Sequence, residues 1–401
     1  MKKTLFSVLA MAALIGQLHA QDTPGVVAEE PAIGRTSDAI LTEARPGEAV
    51  ELKSLDLTSA TSIAYTQSVL PGPQYIISDD PEYIRIPEGV ALREEVEPGE
   101  VRLYVYNVNG VKEPEKIDRK ISVVVDNLGT EELRVEFIRG SFDAPSGNYF
   151  GVAKNALAGY FKYPDGVRAL PTVTIPAGGS APLDARMDTA ISKYDDLVHG
   201  LYEFRVNQPA RISVVQTAPE TSSVEASSRI KEVIESPRKN AGRGKFEISN
   251  YSVKARLDPA AGIQELIVAD GKNDPWVRGV DGSTGAELEL KGNYGIMYEI
   301  EIERVGDGRP VALVTYNARF GSQWCGGMAN TMKVSDGYWP GGVVSIPADK
   351  LMTRSAPEVV VIQTFPPLAS GKTDTIKLTY SPPGASCLPT PLVFIPFEIE
   401  K

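Results

Sequence analysis

Histidine is almost missing from this chain: two among 401 residues, His19 and His199. Zinc sites of the HExxH or Cys–His kind, and copper sites built on several imidazoles, therefore lack their ligands. A Ser–His–Asp arrangement would have to use His199, in KYDDLVHGLYEFRV, and no GxSxG elbow accompanies it. His199 is expected instead as a turn or edge residue beside Asp195 and Asp196. The glycine phrases NAGRGK and GSTG lack the GxxxxGK(S/T) or GxGxxG arrangement after a strand, which disfavours phosphate and dinucleotide binding.

Cysteine is equally scarce, with only Cys325 and Cys387 present. In an oxidising compartment these two are expected to form one disulfide, tying RFGSQWCGG to the last strands. Long apolar runs are absent except for Leu5 to Gly16. That run follows Lys2 and Lys3 and precedes QLHA, ending at Ala20, which together read as a secretory signal over residues 1–20. It is too short to cross a hydrocarbon core, which needs about 20 apolar residues. The expected product is secreted (periplasmic, extracellular or cell-surface) and is not an integral membrane protein.

Positive charge is in deficit, with 41 Lys and Arg against 52 Asp and Glu, a formal net charge of −11. Loss of Lys2 and Lys3 with the signal would make it more negative still. Such a field repels a polyphosphate backbone, so nucleic acid is not an expected partner. The densest basic group, Arg238, Lys239, Arg243 and Lys245, sits among Gly, Ser and Pro and reads as a solvated linker. A contact for an acidic glycan or a lipid headgroup is the alternative reading of that group.

Short β-like runs punctuated by Pro and Gly fill most of the chain. VRLYVYNV (101–108) and KISVVVDNL (120–128) are the strongest, rich in β-branched or aromatic residues and too short for typical helices. ELRVEFIRG, TVTIPAG, GLYEFRV and ARISVVQT follow. A second series runs from KFEISNYSVKARL to PLVFIPF. Helical patterns are few: SVEASSRIKEVIESP (223–237), and NYFGVAKNALAGYF (148–161) as a helix or an aromatic-anchored loop. The two series echo one another. KISVVVDNLGTEELRVEFIRGSF resembles YEIEIERVGDGRPVALVTYNARFGS, LPTVTIPAG resembles WPGGVVSIPAD, and SVVQTAP resembles VVIQTFP. The expected fold is all-β: two antiparallel β-sandwich-like modules from a divergent internal duplication, with few short helices. The expected boundaries are an extended or poorly packed leader over 21–70, a first module over 71–222, a helical or flexible linker over 223–244, and a second module over 245–401.

The stretch from LPGPQYIISDDPEYIRIPEGVAL to VVIQTFPP resembles uncharacterised secreted proteins of bacteria, including cyanobacteria, that carry a domain of unknown function. The matching residues are Asp80-Pro81-Glu82, Glu88-Gly89 and the later strand–turn order. The resemblance implies export and a β-rich body, and supplies no activity.

Residues able to carry chemistry are correspondingly few. Trp276, Trp324 and Trp339 are the only tryptophans, all in the second series, and each stands in a loop-like phrase with glycine: NDPWVRG, GSQWCGG and DGYWPGG. With Tyr338 they are candidates for stacking on sugar rings, whose C–H faces are apolar. Packing of Trp324 on a disulfide and of Trp339 on a sheet end is the alternative. Asp143, Asp184, Asp188, Asp195, Asp196 and Glu203 provide carboxylates for glycan hydrolysis, but no spacing singles out two. DGKND (270–274), NVNG (107–110) and RVGDG (304–308) offer turn oxygens suited to calcium without the EF-hand spacing, and no other cofactor is expected. Three classes follow: a non-catalytic envelope, matrix or surface-layer protein; a carbohydrate-binding protein using exposed aromatic loops of the second module; and a carboxylate-based glycan hydrolase. Expected partners are other envelope or surface proteins, glycans, or further copies of the chain.

Overall fold

The computed structural model describes residues 35–165, 169–235, 242–319, 327–345 and 355–399. It is predominantly β, with four sheets and few short helices, as duplicated sandwich-like modules require. In both halves the strand–turn–strand phrase places its two strands in different sheets. Lys120–Asn127 joins a four-stranded sheet and Leu133–Phe142 a nine-stranded one; Met297–Val305 and Val311–Thr315 divide between two six-stranded sheets. Pairing is mostly antiparallel. Parallel exceptions include Gln74–Ser78 with Gly99–Asn109 and Asn250–Leu257 with Met297–Val305.

The nine-stranded sheet is the centre of the molecule. One face packs on the four-stranded sheet through Leu103, Val105, Val123, Val125, Ile212 and Val214. The other face carries Tyr75, Tyr104, Tyr106 and Leu201 into a second core shared with both six-stranded sheets, where Val253, Ile300, Leu313 and Phe394 lie. Covered on both faces, Gly99–Asn109 and Leu197–Val206 are buried at almost every position, whereas burial alternates along Met297–Val305. At the join Tyr75 donates its hydroxyl proton to the Tyr294 carbonyl at 2.5 Å, and the Tyr104 hydroxyl accepts the Gly384 N–H at 2.8 Å. Gly295 permits this approach: its φ is +73°, and a Cβ there would stand 2.2 Å from the Tyr75 hydroxyl oxygen.

The pairing crosses the expected boundaries in both directions. Ala49–Glu51, Thr61–Ser62 and Tyr65–Leu70, within the segment read as a leader, pair with Glu358–Phe365, Gln264–Ile267 and Asn250–Leu257. Leu41, Ala44, Leu52 and Leu57 cover the outer face of that first sheet, against Val314, Val361 and Val393. In return Arg243–Phe246 pairs with Gln74–Ser78, and Arg278–Asp281 and Ala286–Glu289 extend the nine-stranded sheet further. Arg243 is therefore no solvated linker residue. It is 2% exposed and ion-paired with Asp281 at 2.5 Å, which compensates its burial. Arg238 and Lys239 lie outside the described residues. The helix expected over 223–237 spans Ser223–Arg229, and that over 148–161 spans Tyr149–Lys162.

The disulfide expectation is corrected. No disulfide is present among the described residues, and Cys325 lies outside them. Hydrogen bonds hold the last loop: Cys387, 4% exposed, donates its backbone N–H to the Gly327 carbonyl at 3.3 Å, and the Ser386 hydroxyl accepts the Ala329 N–H at 2.7 Å. Among the described residues no helix is long and apolar enough to cross a membrane.

Candidate functional site

Tyr338 and Trp339 occupy the turn between the paired strands Thr331–Val334 and Gly342–Ser345. Asp336 closes the turn by accepting the Gly341 N–H at 2.6 Å, and Gly337 donates to the Trp339 carbonyl at 3.0 Å. The turn is also bolted to the neighbouring sheet. Tyr338 donates its N–H to the Thr364 carbonyl at 2.7 Å, and the fully buried Gln363 amide donates to the Trp339 carbonyl at 2.9 Å. The approach is so close that a Cβ on Gly337 would lie 2.4 Å from the Thr364 carbonyl oxygen. Trp339 is half-buried. Its Nε1–H donates to the Ala44 carbonyl at 3.1 Å and the Arg45 guanidinium lies 5.3 Å from its ring centroid. Tyr338 is 47% exposed, on a backbone it cannot easily move.

A further aromatic candidate stands elsewhere. Trp276 is half-buried against the shared core, with its indole over Gly271, where a Cβ would lie 2.3 Å from the ring. Trp324 lies outside the described residues. The Asp oxygens of the DGKND phrase, expected to suit calcium, serve hydrogen-bond donors instead. Asp270 accepts the N–H groups of Lys272, Asn273 and Asp274 at 2.8–3.1 Å, a shell of partial positive charge where a cation would need the reverse. Asp274 is buried and accepts from Gln67, the Ala269 N–H and the Tyr298 hydroxyl. Among the described residues no group of three or more His, Cys, Asp or Glu side chains is placed to hold a metal ion.

The carboxylates of the first module are dispersed. Asp184 caps the helix Ala185–Thr189 and pairs with Arg186 at 2.7 Å, Asp188 pairs with Lys120 at 3.5 Å, and Asp195 accepts the Tyr149 hydroxyl at 3.0 Å. Glu203 is buried between Arg102, at 3.0 Å, and the Tyr160 hydroxyl, at 2.6 Å, which hold its carboxyl below the usual range despite burial. His199 is not at an edge. It lies in the strand Leu197–Val206, which is paired on both sides, between the rings of Tyr104 and Tyr106 at 4.7 and 5.5 Å. Its Nδ1 lies 2.6 Å from the Val105 carbonyl, which places the proton on that nitrogen, and burial pushes its pKa down to about 4.

One carboxylate pair was not singled out by the sequence. Glu94, on the strand Gly89–Val96, accepts the Gly282 N–H at 2.6 Å, and burial pushes its pKa up to about 7 with the Asp281 charge contributing. Asp281 is held low by Ser283 and Arg243, against the cost of its burial. Such a split resembles an acid–base pair. Both Asp281 oxygens are engaged, however, one by Ser283 and the other by the Arg243 fork. The pair borders a groove of ≈ 1090 Å³ between the strand Gly89–Val96 and the hairpin Arg278–Glu289, with no aromatic side chain among the described residues that line it.

No protein-family model and no curated protein matches this chain. Among solved structures, the CUB1-EGF-CUB2 domains of rat MASP-1 are similar over 83% of this chain and 97% of that one, at 8% identity and a TM-score of 0.19. The CUB1-EGF-CUB2 domain of human MASP-1/3 is similar over 83% and 99%, at 10% identity and a TM-score of 0.17. A formate complex of the Lactobacillus farciminis oxalate decarboxylase is similar over 82% and 86%, at 11% identity and a TM-score of 0.13. At these values the similarities assign neither family nor function.

Proposed function

We propose that the chain is a non-catalytic carbohydrate-binding protein that presents Tyr338 as its stacking residue. The supporting observation is the exposed phenol ring on a turn fixed by Gln363, Thr364 and Asp336. Stacking a sugar on a ring already held in place loses little conformational freedom, so more of the apolar contact is retained as affinity. Trp339 supports the turn from below, and Arg45 and Asp336 are the nearby charged groups suited to sugar hydroxyls. Screening the mature chain on a glycan array, followed by titration of the best hit, tests the reading. Tyr338→Ala should weaken that hit at least about tenfold, in line with the energy of an aromatic contact, at unchanged thermal stability. Equal affinity in the variant, or no glycan bound, would refute it.

A further inference from the structure

Among the described residues, every sheet end but one is protected against further strand pairing. A bare edge is a template for another strand, and native proteins blunt it by shortness, charge, proline or a covering segment. Ala49–Glu51, Thr61–Ser62, Val173–Ile175 and Gly342–Ser345 are end strands of two to four residues. Ser180–Pro182 is as short and finishes in proline, and Ala286–Glu289 exposes Glu287 and Glu289. Gly89–Val96 is long, but chain and side chain already meet it. The Val90 carbonyl accepts the Ile234 N–H at 2.8 Å, and the Glu95 carbonyl accepts from the Lys245 ammonium at 3.2 Å.

Tyr65–Leu70 has none of these protections. It ends a six-stranded sheet, runs for six residues and reads YTQSVL, without charge or proline. Its ladder with Asn250–Leu257 occupies one side. On the other side, no backbone N–H or carbonyl of residues 65–70 meets a partner among the described residues. Alternate residues of an antiparallel strand turn both groups away from the paired neighbour, so this side is a row of open donors and acceptors. Val69 marks what is missing there. It lies directly opposite Tyr251 of the shared core, so alternation puts it on the core side of the sheet. It is nevertheless 57% exposed, more than any other large apolar side chain among the described residues.

We infer that Tyr65–Leu70 pairs antiparallel with its own copy in a second chain, joining two six-stranded sheets edge to edge across a two-fold axis. Such an axis sets one residue of the strand opposite its own copy. With Gln67 at the centre, Tyr65 stands opposite Val69 on the core side, an aromatic and β-branched pair that covers the exposed valine. On the outer side the exposed Thr66 and Ser68 then face one another as a hydroxyl pair. Ser68 at the centre would instead set Val69 against the Gln67 amide, which already donates to Asp274 at 2.8 Å. The strand carries no charge, so no like charges meet at the seam, although each copy has a formal net charge of −11. This self-match is what favours a second copy over an unrelated strand. The inference does not rest on the Tyr338 reading.

Sedimentation velocity of the full chain over a concentration series should show a monomer–dimer equilibrium. Added salt should strengthen it, because screening lowers the repulsion between two acidic copies. In hydrogen exchange, amides of Tyr65–Leu70 should gain protection as the dimer fills. T66K/S68K sets lysine opposite lysine twice and should weaken the dimer at least about tenfold, whereas T66K/S68E sets lysine opposite glutamate and should restore it. Both positions are exposed, so both variants should melt with the parent at a dilution where all three are monomeric. A chain that is monomeric at every concentration, a dimer whose Tyr65–Leu70 amides stay unprotected, growth into open-ended polymers, or equal dimerisation by the two variants would each overturn the proposal.

Discussion

Two buried ionisable side chains, His199 and Glu94, set opposing pH dependences. His199 is held near pKa 4 against an ordinary 6.5, so between those values the unfolded chain takes up a proton that the folded chain refuses. Its contribution to stability is complete above pH 6.5 and falls as pH drops toward 4, by about 1.4 kcal/mol per pH unit. Glu94 is raised to about 7 from 4.5, so the folded chain keeps a proton that the unfolded chain releases. Its contribution is complete below pH 4.5 and is lost as pH rises to 7. Over the shared range the two slopes cancel. Glu94→Gln keeps an acceptor for the Gly282 N–H and removes one slope. Urea unfolding of that variant should show stability rising from pH 4.5 to 6.5 and exceeding the parent above pH 7, by a few kcal/mol at most. Parallel curves for the two proteins would show that Glu94 titrates normally. Neither residue was legible in this role. The motif around His199 marked a strand start, but its neighbours Tyr104 and Tyr106 come from a strand almost a hundred positions earlier, and nothing near Glu94 in sequence announces Gly282.

At the scale of the element, patterning revealed strands more readily than their partners. Lys120–Asn127 and Ala210–Thr217 were visible because β-branched residues recur through them. The segment 21–70 reads as a leader because several of its elements are brief, three residues in Ala49–Glu51 and two in Thr61–Ser62, too short to establish a period. Its contribution lies in what it covers: Leu41, Leu52 and Leu57, each at most 1% exposed, lie over the sheet face bearing Val314, Val361 and Val393. Deleting residues 21–60 should therefore uncover a contiguous apolar patch. The shortened chain should bind a hydrophobic dye and aggregate at concentrations where the full chain stays dispersed; identical dye binding would mean that this segment is dispensable. The Tyr338 turn follows the same logic. Its glycines and aromatics stood out in sequence, whereas Gln363 and Arg45, which steady it, lie on elements that local periodicity cannot bring together.

At the scale of the molecule, strand exchange makes each half incomplete without the other. The first half lends Tyr65–Leu70 and the short strands before it to the six-stranded sheets, and the second lends Arg243–Phe246 and the hairpin after it to the nine-stranded sheet. Arg102 reinforces the tie. Buried in the nine-stranded sheet and paired with Glu203, it also donates to the Ser249 carbonyl at 2.7 Å and to Asn250 at 2.9 Å, where the second half's first long strand begins. An all-β architecture followed from alternation in the sequence, but reciprocal completion did not, because a strand's own residues state which face is apolar and not which chain segment lies alongside. The consequence is cooperative unfolding. Fragments 71–222 and 245–401 made separately should each show unpaired edges and poor chemical-shift dispersion, since Gln74–Ser78 would lose one neighbour and Asn250–Leu257 another. The full chain should melt in one calorimetric transition whose van't Hoff and calorimetric enthalpies agree. Two resolved transitions, or one fragment folding alone with the spectrum it has in the whole chain, would mean that the exchanged strands decorate two independent domains rather than build one.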